Sequence, residues 1–407
     1  MKVAIIFDNL GPYHLARLEA ASQVCTLFAL EMSQQSAEYA WQPFSGPRGF
    51  GSRTLNDSWA PGLLKVLLQT RGLKRELTEF SPDCVFIPGW SRIYSLESLR
   101  WCAANGVPAV LMSETTENDV SRCEWKERLK SRILRSCSAA MVGGAPHKDY
   151  LRKLGMAESR IFEGYDVVDN EYFRKAAEGA RERRGELRQS FKLPAHYFLA
   201  SARFIEKKNL RRLIIAYAKY RRAVWGLMEA SGAIAENQPW SLVLLGDGEQ
   251  RPALQRLVSD LGLDACVLLP GFKQYEELPI FYGLANAFVH ASISEPWGLV
   301  VNEAMASGLP MIVSNRCGCA PDLVREGRNG ALFDPESIAQ LAELLLWISD
   351  CEYKRATMGK ASSEIISHWG LSRFSHALQS AAQLAIASRR PRPNSHWRVL
   401  SWLSLSR

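Results

Sequence analysis

The segment AFVHASISEPWGLVVNEAMASGLPMIVS, residues 287–314, contains the pattern on which the fold turns. It opens on a short apolar run at 287–289 and passes through a loop holding Glu295 and Gly298. It continues as helix from 299 to 307, then stops at Gly308 and Pro310 before a second apolar run. Strand, turn, helix and strand in that order form one unit of a parallel sheet, and unalternated Val, Ile and Phe suit strands buried on both faces. A helix beginning just after Gly298 turns free N–H groups and the positive end of its dipole toward the strand ends, a setting suited to a diphosphate. Glu295 precedes this helix and Glu303 lies about one turn inside it, roughly 6 Å further along the axis, so the two carboxylates can address neighbouring parts of one elongated ligand.

The same rhythm extends outward in both directions. Further apolar runs at 197–202, 241–245, 267–269, 310–313 and 331–333 complete a C-terminal sheet, and runs at 2–7, 24–30, 84–88, 108–112 and 139–142 make an N-terminal one, with helical patterns at 12–22, 95–105 and 125–137 between them. The predicted fold is α/β, with two Rossmann-like doubly wound domains facing each other across a cleft. Residues 1–170 form the N-terminal Rossmann-like half and 171–365 the C-terminal one, 366–388 is a helix crossing back to the first domain, and 389–407 is a basic, aromatic tail. That tail, RRPRPNSHWRVLSWLSLSR, reads either as an interfacial membrane anchor or as a disordered terminus. The polar stretch 169–189 shows helix formers but no apolar stripe and reads as a solvated helix joining the domains; 222–240 reads as a helix extension plus loop.

A chain of 407 residues with 47% hydrophobic and 23% charged residues exceeds one core and suits two. No run approaches the roughly 18 apolar residues needed to span a bilayer, and the opening residues break too early for a signal peptide, so a cytoplasmic location is expected. Nine unevenly spaced cysteines fit free thiols better than a disulfide framework. Cys317-Gly318-Cys319 lacks a second ligand pair at metal spacing, so no metal is expected. The net charge of +8 calls for an anionic partner, and a nucleic acid is disfavoured because aromatic and basic residues are not interleaved.

EPWGLVVNE, residues 295–303, resembles the E-x7-E element of the retaining GT-B glycosyltransferases of family 4. The resemblance implies that Glu295 lies against the donor hexose and that Glu303 holds the nucleotide ribose, with Gly298, Leu299 and Val300 on the phosphates. ARFIEKKNL, 202–210, resembles the family's diphosphate-gripping element, giving Arg203 and Lys208 that task. Preorganised cations there would stabilise the charge growing on the departing phosphate. Gly246 in LGDGE and Gly271, Phe272 and Lys273 in PGFK resemble its donor turn and base-binding loop, and 317–333 fits a family loop at the cleft. The match is close from 197 to about 346 and only outlined in the first half.

In that half, the turn at 8–14 has one glycine, Gly11, and no dinucleotide fingerprint; the resemblance sets Gly11 beside the donor phosphates and His14 beside the acceptor. Where the family often has a histidine after the fourth strand, this chain offers Glu114, which points to a different acceptor. The basic amphipathic stretch 124–135 reads as a solvated helix face or as a dock for an anionic membrane. The implied activity is transfer of a sugar from a nucleotide-diphosphate donor to a glycan, lipid-linked or small-molecule acceptor, as in polysaccharide biosynthesis, with no cofactor. Alternatives are a nucleotide-sugar 2-epimerase on the same fold and a non-catalytic nucleotide-sugar-binding protein.

Overall fold

The computed structural model describes residues 1–33, 48–55, 62–119, 122–231 and 238–388; the tail at 389–407 and part of the stretch at 222–240 lie outside them. The chain divides into two compact units, Met1–Val168 with Gly370–Arg407, and Asp169–Trp369.

The first unit contains, in order, β1 (Lys2–Phe7), α1 (Pro12–Ser22), β2 (Thr26–Glu31), β3 (Gly51–Thr54), α2 (Gly62–Phe80), β4 (Cys84–Pro88), α3 (Ile93–Asn105), β5 (Ala109–Ser113), α4 (Glu124–Leu134), β6 (Ala139–Val142), α5 (Ala145–Lys153) and β7 (Ile161–Glu163). Its sheet has the order β3-β2-β1-β4-β5-β6-β7 and every pairing is parallel. β1, β4, β5 and β6 are buried almost throughout because helices cover both faces, which is why they read as unbroken apolar runs. β3 was not foreseen: GSRT is an exposed edge strand and carries no apolar signal.

The second unit begins with α6 (Asn170–Glu182) and α7 (Arg184–Phe191). It continues with β8 (Tyr197–Ser201), α8 (Leu210–Ser231), β9 (Ser241–Leu245), α9 (Arg251–Asp260), β10 (Val267–Gly271), α10 (Leu278–Leu284), β11 (Ala287–His290) and α11 (Leu299–Ala306). β12 (Met311–Ser314), α12 (Ala320–Leu323), β13 (Gly330–Phe333), α13 (Ile338–Ser349) and α14 (Glu352–Ser367) complete it. The sheet order is β10-β9-β8-β11-β12-β13, again all parallel. The order reverses between β8 and β11, and in open α/β sheets ligands bind outside the carboxyl ends of strands at such a switch point.

Two segments need correction or comment. The stretch 169–189 is not a solvated connector: α6 buries Phe173, Ala177 and Ala180 on one face and packs on α10, where a Cβ on Gly283 would fall 2.7 Å from the Ala177 carbonyl oxygen. Two alanines supply most of that stripe, so the helix docks through close backbone approach rather than bulky side chains. At the C-terminus, α14 stays with the second unit, while α15 (Leu371–Ala387) lies on the first unit's sheet. Phe374, Leu378, Ala381, Ala382 and Ala385 of α15 share a core with Val3, Ile5, Phe7, Val110 and Met141. Among the described residues, no helix is long and apolar enough to cross a membrane.

Candidate active site

The switch point of the second sheet is closed by two loops stitched together. After β8 the chain makes a short turn at Glu206–Lys208 that ends on Asn209 in the left-handed region, φ 60°. The buried Asn209 amide donates to the carbonyls of Ala291 at 3.0 Å and Pro335 at 2.8 Å, and Ile293 N–H donates to Lys207 O at 2.8 Å. These bonds fix the loop after β8 against the loop after β11, and they bring Lys208 onto Glu295: Nζ pairs with Oε2, both side chains being about nine-tenths buried.

Glu295 takes two further partners on the same oxygen, His290 Nε2 at 3.3 Å and Ser292 Oγ at 3.2 Å. Burial would raise its carboxyl, but the hydrogen bond from His290 and the charge of Lys208 hold it well below the usual carboxylate range, so Glu295 stays ionised. His290 itself, at the end of β11, would be lowered by burial; its hydrogen bonds to Cys317 and Glu295 and their charges carry it up to about 9. For Cys317 burial acts upward, yet hydrogen bonds from Cys319 and His290 bring the thiol down to about 6. Cys317 Sγ also lies 2.8 Å from the Trp297 carbonyl, a contact that needs the S–H, so one proton is contested between Cys317 and His290.

The loop from 317 to 319 forms the back of the Glu295 turn. Gly318 N–H donates to Glu295 O at 2.9 Å and Cys319 N–H to Trp297 O at 3.2 Å, and Trp297 anchors the turn through Nε1 to Asn302 Oδ1 at 2.9 Å. Gly298, φ 103°, then starts α11, and a Cβ here would stand 2.9 Å from Cys317 Sγ, so the position requires glycine. The N–H groups of Leu299 and Val300 open the helix, where helical geometry supplies no internal acceptor. Further along α11, Glu303 is fully buried and accepts a 2.6 Å hydrogen bond from Tyr282 OH.

The remaining sequence-predicted residues of this unit stand on neighbouring strand ends. Arg203 is half-buried on the loop that carries Lys208. Phe204 N–H donates to Asp247 O at 2.8 Å and Gly246 N–H to Gly271 O at 3.0 Å, so the turns after β8, β9 and β10 lie side by side. Gly246, φ 124°, sits so tightly on Ala202 that a Cβ would fall 1.9 Å from its carbonyl oxygen. Phe272 follows Gly271, and Lys273 pairs with Glu277 at 3.4 Å with its ammonium over Phe281.

Gly11, His14 and Glu114 belong to the first unit, where they flank the ends of β1 and β5. His14 opens α1 with Nδ1 accepting from Gly11 N–H at 3.2 Å and its ring 4.7 Å from Phe7. Burial, with Arg17 nearby, lowers it to about 3, so this histidine stays neutral. Glu114 hydrogen-bonds the carboxyl of Asp166, which burial and the Glu114 charge push well above its ordinary value; buried Arg17 stands 3.9 Å away.

Three residues of the second unit's site escaped sequence reading. His290 and Ser292 close an apolar strand and read as its continuation, and Tyr282 lies in a short apolar helix, while Cys317 reads as part of the cleft loop, without a partner. The usable signal was a histidine at the carboxyl end of a buried strand.

Residues 184–364, nearly all of the second unit, match the family model for glycosyl transferases group 1. An uncharacterized glycosyltransferase of Methanocaldococcus jannaschii is 29% identical over 39% of this chain and 44% of its own length. The alpha-D-kanosaminyltransferase of Streptomyces kanamyceticus is 23% identical over 76% of this chain and 78% of its own. The chain spans less than half the length of the first curated relatives it matches. Among solved structures, Anabaena HepE in complex with UDP and glucose is similar at a TM-score of 0.70 and 16% identity, over 93% of this chain and 98% of that one. At that identity the likeness shows the fold, which is that of a GT-B glycosyltransferase.

Proposed function

We propose that the chain is a retaining glycosyltransferase of family 4 that moves a hexosyl group from a nucleoside diphosphate sugar to a glycan, lipid-linked or small-molecule acceptor. The observation that carries this reading is the buried Lys208–Glu295 pair at the switch point of the second sheet, beside the opening turn of α11. The second unit takes the donor: the N–H groups after Gly298, with Arg203 and Lys208, receive the diphosphate, and Glu303 addresses the ribose. The UDP bound to HepE and the glycosyltransferase names of the relatives support such a donor.

Cleavage of the sugar–phosphate bond leaves negative charge on the phosphate and oxocarbenium character on the sugar. Lys208 moves from Glu295 toward the first, and the ionised Glu295 faces the second, so one pair separates to serve both ends of the breaking bond. The acceptor attacks from the same face and gives its proton to the departing phosphate, so no separate base is needed. The cations carry the charge without a divalent ion. A lipid-borne acceptor would bring the protein to the inner face of a membrane as a peripheral protein.

The test is a screen of UDP-, GDP- and ADP-sugars, with and without crude acceptor lipids and glycans, followed by NMR of the product. Retained anomeric configuration and a rate indifferent to EDTA are expected. An epimer formed from donor alone, or binding without turnover under any acceptor, would overturn the reading.

A further inference from the structure

Behind Glu295 lies a thiol pair that sugar transfer does not use. Cys317 Sγ and Cys319 Sγ are 3.4 Å apart, both buried, with a residue lacking a side chain between them. None of the nine cysteines is in a disulfide. His290, held at Glu295, flanks the same position as Cys317: a Cβ on Gly298 would stand 2.9 Å from Cys317 Sγ and 3.6 Å from His290 Nε2, so the thiol has a cationic neighbour, which favours its thiolate. Cys319 is pushed the other way, well above the ordinary thiol value, by burial and by Cys317 itself. When the contested proton sits on His290, Cys317 is a thiolate 3.4 Å from the Cys319 thiol, the arrangement of an attacking and a resolving cysteine.

We propose that Cys317 and Cys319 form an oxidation site for small hydroperoxides, and that their disulfide disables the Glu295 turn. The Cys317 thiolate attacks the peroxide, the O–O bond breaks, and Cys317 becomes a sulfenic acid as hydroxide leaves and takes up a proton. Cys319 then attacks that sulfur, its proton leaves with the expelled oxygen as water, and the S–S bond forms. In total, two thiols and one hydroperoxide give one disulfide, one water and one water or alcohol. A monothiol in excess reverses the step by exchange.

The consequence for the site comes from the wiring. Closing 3.4 Å to the roughly 2.05 Å of a disulfide draws the loop inward. That loop holds Glu295 O through Gly318 and Trp297 O through Cys319, and Cys317 Sγ is the atom against which Gly298 packs. His290 loses its thiolate partner at the same moment. The disulfide chemistry stands apart from the proposed function; its effect on donor binding rests on that reading.

The protein is treated with hydrogen peroxide, quenched, unfolded, alkylated with N-ethylmaleimide and digested with trypsin. Cleavage at Arg316 and Arg325 releases 317–325, which holds exactly these two cysteines. The expected product is that peptide unalkylated and lighter by two hydrogens, formed about tenfold faster than oxidation of the half-buried Cys25, Cys123 and Cys351. Cys319→Ser should stop at a sulfenic acid trapped by dimedone. Affinity for UDP, or for whichever of UDP, GDP and ADP the reduced protein binds, should fall about tenfold or more and return with dithiothreitol. Preferential oxidation of the three half-buried cysteines, with 317–325 still fully alkylated, overturns the proposal, as does a disulfide that leaves that affinity unchanged. If the reduced protein binds none of the nucleotides, the glycosyltransferase reading fails, while the peptide map still decides the thiol chemistry.

Discussion

Replacing Cys317 with serine should add a loss of stability with rising pH, to which the His290–Cys317 pair contributes nothing in the unaltered chain. His290 ordinarily titrates at 6.5 and Cys317 at 9.0; folding carries the first up to about 9 and the second down to about 6. Between pH 6.5 and 9 the unfolded pair carries one proton, on the thiol. The folded pair also carries one, on either Nε2 or Sγ. Stability changes with pH only where the folded and unfolded states bind different numbers of protons, so across this window the pair contributes no slope. Serine removes the acid and leaves His290 to two opposing influences, burial, which lowers it, and the hydrogen bond and charge of the ionised Glu295, which raise it. Where Glu295 prevails, the folded state holds a proton that the unfolded imidazole has lost. The stabilisation it brings is complete below pH 6.5 and disappears as pH climbs through the folded value. Each tenfold change in proton affinity is worth about 1.4 kcal/mol, so the full span from 6.5 to about 9 sets a ceiling of about 3 kcal/mol. Because Cys317 supplies the larger share of that rise and burial opposes the remainder, the variant should lose well under that ceiling, about 1 kcal/mol. Urea unfolding of both proteins at pH 6.5 and 9, compared as a difference of differences, cancels every other titrating group. Parallel pH profiles would refute the shared-proton account.

Lys208→Ala should lower turnover by orders of magnitude with the far-UV circular dichroism unchanged, and a wild-type rate would remove Lys208 from the chemistry. Tyr282→Phe strips the 2.6 Å donor from buried Glu303 and should destabilise by about 1.5–3 kcal/mol in chemical denaturation, with weaker nucleotide binding beside it. Gly298→Ala forces a side chain into φ 103° and against Cys317 Sγ; a cost of about 1–3 kcal/mol is expected in thermal unfolding, together with lost donor affinity.

The buried strands were legible because a sheet covered on both faces must be apolar at every position, and that signal survives without any partner in view. The edge strand Gly51–Thr54 and the Ala177–Ala180 face of α6 were not, since one is solvated and the other packs through the absence of bulk. At the site, Glu295, Gly298 and Lys208 stood out because strand-end loops carry charge and glycine together. What held them did not: Asn209 reaches Pro335 across 126 residues, and His290 meets Cys317 only after two strands are laid side by side. Such pairings belong to topology, and no local spacing encodes them.

The return of α15 to the first sheet sets an order of assembly during synthesis. Residues 169–369 are contiguous and can close as soon as they leave the ribosome, whereas residues 1–168 must wait for the segment beginning at Gly370. At about 5–20 residues per second, some 200 intervening residues take about 10–40 s. Through that interval the face of Val3, Ile5, Phe7 and Met141 has Leu18 and Ala21 of α1 against it but lacks the cover that α15 later gives. The half of the chain made first is therefore finished last, and a nascent-chain chaperone would find its target on the N-terminal sheet.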